Sequence, residues 1–294
     1  MSNILQLVVL GMLEGSLYAL VASSIVLVYK ATHVVSLAHG QLLAFGALFF
    51  YLFLVPLGLH PFIGILLACL SMAVIGFLVE RLALRPLIGQ PLFTSFLITF
   101  SLYMVFDGVY QFLLEGQAWA YTSYLPEGVF KLGSISIPVG QFISFLVSLA
   151  LFACLALFYK FTKSGLGMRA ASENHRLAQG TGIIVKRIFS LIWIISAVVA
   201  TIGGVAVANI MDIHYPLPNI GIKGLIVALF GGLESLPGAL LAGLLLGVIE
   251  SLGAGYLDPI VGGGIREVAA YVMLLFILLV KPYGLMGLVK IERI

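Results

Sequence analysis

Residues Lys160–Arg187 read Lys-Phe-Thr-Lys-Ser-Gly-Leu-Gly-Met-Arg-Ala-Ala-Ser-Glu-Asn-His-Arg-Leu-Ala-Gln-Gly-Thr-Gly-Ile-Ile-Val-Lys-Arg. This stretch holds six of the fifteen Lys and Arg residues and lies between two long apolar runs. A basic loop between apolar runs is what the positive-inside rule expects on the cytoplasmic face of a membrane. Met168–Gln179 contains helix formers and no proline, which predicts a short helix. Gly165 and Gly167 break the chain before it, and Gly180 and Gly182 stop it. A short helix on the wet side of a membrane has little bilayer to bury against. It packs on its own domain or docks a soluble partner.

The rest of the chain agrees with that reading. Of 294 residues, 62% are hydrophobic and 9% charged, and the mean hydropathy is +1.18. Ordinary soluble domains carry about a quarter charged residues, so the class is a polytopic membrane protein. No basic face exists outside the short loops, so a nucleic-acid-binding reading has no support in the sequence. Cys69 and Cys154 lie inside apolar runs and read as buried reduced thiols. Met1–Gln6 lacks a basic n-region and an A-x-A site, so the first apolar run is expected to remain as a helix.

In order, the expected membrane segments are Ile4–Tyr29, Gln41–Val55, Phe62–Val79, Leu92–Leu113, Gln141–Tyr159, Ile188–Ile210, Ala239–Leu252 and Glu267–Val280. They total eight, or nine if the short Ile222–Phe230 counts. A small hairpin is expected at Lys131–Val139, and Gly253–Gly264 reads as a glycine-rich loop. The fold class is all-α, a transmembrane bundle with some broken or re-entrant helices, in a single domain over residues 1–294. Placing Lys30, the Glu80–Pro91 turn, the 160–187 loop and the C-terminus inside collects twelve of the fifteen basic residues on one side. Only Lys131, Lys223 and Arg266 stay outside. That bias orients the N-terminus outside and the C-terminus in the cytoplasm.

A polar break before a Gly/Ala-spaced helix occurs twice, at His39–Ala47 and at Glu234–Gly243, the second within the break Gly231–Gly238. Paired broken helices in two halves of a chain point to a transport path, although glycine-rich turns also look alike by chance. His39 titrates near neutrality in principle, but a lone His beside Gly is more often a turn residue. The hydroxyls Thr94, Ser95, Thr99 and Ser101 stud one helix, either lining a path or bonding to the preceding turn. Glu14, Asp107 and Glu250 are membrane carboxylates for which a structural or interfacial role is favoured. No metal-ligand spacing occurs. No P-loop, nucleophile elbow or zinc-protease motif is present, so the chain is not read as an enzyme.

Five ordered motifs add a resemblance. Ser36-Leu37-Ala38-His39-Gly40 resembles an N-F-A-H-G turn, and Glu80-Arg81-Leu82-Ala83-Leu84-Arg85-Pro86-Leu87 an E-R-L-A-x-R-P-L turn. Gly167-Met168-Arg169-Ala170, with Asn174 and Gly182-Ile183, resembles a G-x-x-x-R-A loop. Gly231-Gly232 to Gly243 resembles G-G-x-x-S-x-P-G-A, and Pro282–Gly287 a P-x-G-[IL]-x-G end. Together they resemble the permease subunits of branched-chain amino-acid ABC importers over nearly the whole chain. The resemblance implies a coupling helix in the 160–187 loop, with Gly167, Arg169, Ala170, Glu173 and Asn174 in the docking region. Path candidates are His39, Gly40, Gln41, Thr99, Ser101, Gly232, Glu234 and Ser235. Implied partners are a second permease chain, two cytoplasmic ATP-binding subunits and a periplasmic solute-binding protein, in a bacterial inner membrane. No cofactor belongs to this chain; ATP and Mg would sit on the partners. Gln41 stands where an acidic residue is frequent, Glu234 where Gly is common, and Gln179-Gly180 replaces an apolar pair. An importer of urea or short amides, a secondary transporter or channel, and a membrane scaffold remain alternatives.

Overall fold

The computed structural model describes residues 2–87, 90–121, 124–126, 128–133, 135–173, 175–281 and 283–287. Its elements are α1 (Ser2–Thr32), α2 (His39–Leu54), α3 (Pro61–Leu78), α4 (Leu92–Leu114), β1 (Val129–Leu132), β2 (Ile135–Pro138), α5 (Val139–Phe161), α6 (Lys163–Glu173), α7 (His175–Gly180), α8 (Val185–Met211), α9 (Ile220–Gly231), α10 (Leu236–Val261) and α11 (Ile265–Val280). Among the described residues, six helices are long and apolar enough to cross a membrane, while α2 and α9 are shorter apolar helices. The polytopic helical bundle is thus as expected, and the short α2 and α9 are the broken elements of the sequence reading.

The packing is organised by glycine. Antiparallel α1 and α10 form the most extensive seam. A Cβ on Gly15 would stand 2.4 Å from Gly243 O, and one on Gly247 2.1 Å from Gly11 O. Lipid supplies no hydrophobic drive between helices, so such close backbone contact is how they adhere. α8 crosses α2 in the same way: a Cβ on Gly204 would meet Leu43 O at 2.1 Å. The main core joins α1, α2, α8, α9 and α10. α4 is mostly exposed and buries a stripe through Ser95, Thr99, Tyr110 and Leu114.

Several boundaries differ from expectation. α10 continues through Gly253 and Gly255 to Val261, so that region is helix, not loop. Gly255 is small because Leu7 of α1 fills the space beside it. The turn begins only at Gly262–Gly264, all at positive φ. The hairpin pairs Val129–Leu132 with Ile135–Pro138, starting two residues earlier than expected. Cys69 is half-buried and Cys154 exposed, which corrects their reading as buried thiols. An apolar position on a spanning helix faces lipid as readily as protein.

Two polar staples hold the ends. α3 runs into a π-helical turn, Val79–Leu84. There Arg85 donates to both carboxylate oxygens of buried Glu80, at 3.0 and 2.9 Å, and Ser190 of α8 donates to Glu80 at 2.7 Å. This is what the E-R-L-A-x-R-P-L turn builds. The bonds to Glu80 push the Arg85 guanidinium above its usual pKa. At the opposite end, Trp119 and Ile213 exchange backbone hydrogen bonds at 2.8 and 2.9 Å. Trp119 stacks on Tyr51, and Tyr121 donates to Ala47 O at 3.0 Å. Burial raises the Tyr121 and Tyr124 phenols there.

Candidate translocation path and coupling helix

The first break, residues 33–38, follows a left-handed His33 at φ 54°. Three elements hold it. His33 Nε2–H donates to Ser172 O of α6 at 3.1 Å. Thr99 of α4 donates to Val35 O at 3.2 Å. Gly40, at the start of α2, abuts the start of α9: a Cβ there would lie 2.1 Å from Pro218 O, and one on Gly221 2.2 Å from Gly40 Cα. The positive N-terminal ends of two half-length helices therefore meet inside the bundle.

Predicted path residues gather around this junction. His39 is buried, with Nε2 2.6 Å from Ser196 Oγ; Ser196 in turn donates to Ser24 O at 3.2 Å. With the Ser196 proton on Ser24 O, the imidazole is the donor from Nε2. Gln41 donates to Asp107 Oδ1 at 2.9 Å, tying α2 to α4. Ser36 Oγ and Gln41 Oε1 are buried without a hydrogen-bond partner among the described residues. Thr99 and Ser101 separate: Thr99 faces the break, whereas Ser101 is exposed and bonded to Leu97 O of its own helix at 2.9 Å.

The second break, residues 232–235, is built from backbone. Gly232 has φ +100°, a conformation that favours glycine. The segment 283–287 crosses it as a strap, with Leu285 N donating to Phe230 O at 2.8 Å and Met286 N to Gly231 O at 3.1 Å. These bonds satisfy carbonyls that the end of α9 leaves open. A Cβ on Gly232 would stand 2.6 Å from Gly287 N, and one on Gly238 2.1 Å from Gly231 O. Ser235 then caps α10 by accepting from Gly238 N at 3.0 Å. Pro282, at the head of the strap motif, lies outside the described residues.

α6 starts five residues earlier than expected. Thr162 caps it by accepting from Gly165 N at 2.9 Å, and Gly165 and Gly167 lie within the helix, not before it. They are packing residues: a Cβ on Gly165 would meet Tyr159 O at 2.3 Å, and one on Gly167 would meet Ile188 Cδ1 at 2.9 Å. The expected stop does occur, α7 ending at Gly180 and Gly182 having φ +87°. Gly167 is buried, and Arg169 folds back to donate to Tyr159 O and, at 3.2 Å, to Lys160 O. Half-buried Ala170 and exposed Glu173 lie on an outer stripe with Lys163 and Leu166, the last 58% exposed. The sequence reading missed Leu166. Its signal was an apolar residue at helical spacing on the polar side of a wet helix. Asn174 lies outside the described residues. Glu234 and Ser235 line an open pocket of about 430 Å³ together with Lys30, Tyr159, Lys160 and Arg169. α6 thus touches the first break through Ser172 and faces the second across this pocket through Arg169.

The membrane carboxylates all carry partners. Glu14 pairs with Arg266 of α11 at 3.0 Å. Glu250, fully buried, pairs with Lys223 at 3.0 Å and accepts from Tyr18 at 2.9 Å. Lys223, expected with the outer loops, is instead one turn inside α9.

Comparison with known proteins gives a consistent picture. A protein from Salmonella typhimurium, the high-affinity branched-chain amino acid transport system permease protein LivH, is 27% identical over 97% of this chain and 96% of its own length. BraD of Pseudomonas aeruginosa, described in the same terms, is 28% identical over 99% and 98%. A probable LivH of Methanocaldococcus jannaschii is 28% identical over 94% and 90%. In solved structures, PsaBC from Streptococcus pneumoniae, in complex with Fab, superposes with TM-score 0.52 at 17% identity, covering 93% of this chain and 91% of that one. That likeness speaks for the fold alone. The family description "Branched-chain amino acid transport system / permease component" matches residues 7–281, and the chain belongs to that family of multi-pass inner-membrane permeases.

Proposed function

We propose that this chain is the membrane-spanning subunit of an ATP-driven importer for branched-chain or other small amino acids. One observation supports the mechanism: α6 contacts the first helix break through Ser172 and faces the second across the pocket that Arg169 shares with Glu234. His33–Ser172 links it to the entry of α2, and Arg169 links it to the pocket wall beside Glu234. A push on the outer stripe of α6 then reaches the two places where the bundle is not continuous helix. The half-helix N-termini meeting at Gly40 and Gly221 offer a positive field suited to a substrate carboxylate. The chain performs no bond chemistry. Its partners on this reading are a second permease, two cytoplasmic ATPases and a periplasmic binding protein, with the N-terminus outside and the C-terminus inside. Labelling of a cysteine at Ser2 from the periplasmic side alone checks that orientation; labelling only from the cytoplasm overturns it.

Bulk should disturb docking more than the loss of one charge, because an exposed ion pair contributes only about 0–1 kcal/mol. Ala170→Trp is expected to abolish co-purification of the ATPase and substrate-stimulated ATP hydrolysis in a correctly inserted permease. Arg169→Ala is expected to be milder. Intact docking and hydrolysis with Ala170→Trp would remove α6 as the coupling element. Uptake of amino acids, urea and short amides into vesicles separates the substrate classes. ATP-independent uptake by this chain alone would favour a secondary transporter.

A further inference from the structure

The pocket beside α6 has features that coupling does not use. α1 forms its floor through Lys30, the end of α5 one wall through Ala156, Tyr159 and Lys160, and the start of α10 the other through Leu236 and Pro237. Among the described lining residues, three cations, Lys30, Lys160 and Arg169, face one carboxylate, Glu234, and Glu173 stands close enough to act on Tyr159. Two of the cations sit around one ring, Lys30 Nζ 4.4 Å and Arg169 Cζ 5.5 Å from the centroid of Tyr159. Like charges gathered this closely repel one another unless an anion joins them. The buried Tyr159 hydroxyl on the same wall has no hydrogen-bond partner among the described residues. A guanidinium carries five donors, and the two carbonyls that hold Arg169 occupy only part of that capacity.

The surroundings indicate what kind of anion fits. One turn back along α5, Leu157 is exposed, and Phe161 beside Lys160 is exposed as well. Along α10, Leu241 is exposed one turn beyond Pro237. The cationic cluster thus stands at the head of a membrane-facing apolar surface. A free phosphate has no use for those walls, whereas an amphiphile uses both ends. Basic pockets between transmembrane helices on the cytoplasmic side suit anionic lipid headgroups.

We infer that this pocket binds the phosphodiester headgroup of an anionic phospholipid, which neutralises Lys30, Lys160 and Arg169 and accepts a hydrogen bond from the Tyr159 hydroxyl. The inference rests on α6 facing the cytoplasm. Bound lipid would brace Arg169, and so the wall shared by the coupling helix and the second break.

The test uses the purified permease with its ATPase subunits, delipidated and then titrated with phosphatidylglycerol, phosphatidylcholine or inorganic phosphate, and read by native mass spectrometry. Phosphatidylglycerol is expected to be retained, phosphatidylcholine weakly, and inorganic phosphate is expected not to displace it. Lys30→Gln with Lys160→Gln should weaken retention roughly 30-fold, the scale of two basic side chains at an anionic lipid surface. Should the double variant not fold, Lys160→Gln alone, at an exposed position, should weaken it roughly fivefold. Undiminished retention in these variants overturns the site. Equal retention of phosphatidylcholine reduces it to an apolar cleft, and displacement by inorganic phosphate makes it a small-anion site; either result overturns the lipid assignment. Intact ATPase co-purification and hydrolysis in Ala170→Trp, with lipid still bound, would refute the coupling reading and leave the lipid site standing.

Discussion

The two breaks look alike in sequence and are held in different ways. At residues 33–38 the chain is fixed by side-chain bonds, Thr99 of α4 to Val35 O and His33 to Ser172 O of α6, and backbone contact comes only beyond it, where Gly40 meets Pro218 and Gly221. At residues 232–235 it is fixed by backbone, with the 283–287 strap bonded to Phe230 and Gly231 and glycines in contact on both sides. Side-chain bonds can be exchanged one at a time, and each contributes about 0.5–1.5 kcal/mol net. Backbone interlocked at van der Waals contact moves as a piece or not at all. The first break is therefore the adjustable joint, and the second the fixed one around which rigid pieces turn.

The sharpest way to break this comparison is to put bulk into the fixed joint. Gly238→Leu drives side-chain atoms into Gly231, and Gly232→Ala adds a Cβ at φ +100° against Gly287. Overpacking costs about 1–3 kcal/mol or more and left-handed strain about 1–2, so both are expected to abolish assembly or uptake. Gly40→Leu should do the same at the α2–α9 junction, and wild-type uptake from these variants would leave the interlock without function. A smaller effect is expected from removing the strap. Truncation after Lys281 should speed amide exchange at residues 229–236 and leave 33–38 unchanged; equal loosening of both would show that they are one joint. The smallest effect is expected from Thr99→Val, which removes one bond to Val35 O. A loss of about 1 kcal/mol of local protection, confined to 33–38, is expected by the same measurement. Protection lost at 232–235 would deny the two breaks their independence.

Much of the bundle was legible because long apolar runs have one physical solution in lipid. The breaks were legible too, since Gly and Pro interrupt helix for local reasons. Where local rules misled, glycine was again the cause. Gly165, Gly167, Gly253 and Gly255 read as breakers, yet they sit inside helices because a neighbouring backbone or side chain occupies the missing Cβ position. For Gly167 and Gly255 that neighbour, Ile188 or Leu7, lies well outside any local window of sequence. The Thr162 cap was readable from its residue type and position and was absorbed into the basic loop. Of the candidate site, the His39–Gly40–Gln41 cluster was visible as a motif. Its ties to Ser196, Asp107 and Pro218 span the whole chain and appear only in three dimensions. Arg169 illustrates the same limit: its type suggested an outward contact, but a short turn before α6 exposes carbonyls that draw it back.

The pairing of Lys223 with Glu250 reaches into how the protein is made. α9 has 12 residues, about 18 Å of helix, against an apolar layer of about 30 Å. It is too short to stop in the bilayer unaided, and its lysine costs about 2.5–3.5 kcal/mol on the scale of cellular insertion when placed mid-membrane. The neutralising carboxylate arrives 27 residues later, on the next helix. As the chain leaves the ribosome, α9 therefore has no stable berth until α10 follows it. The two enter the membrane as one hairpin, so biogenesis of the fixed joint is a single event in time.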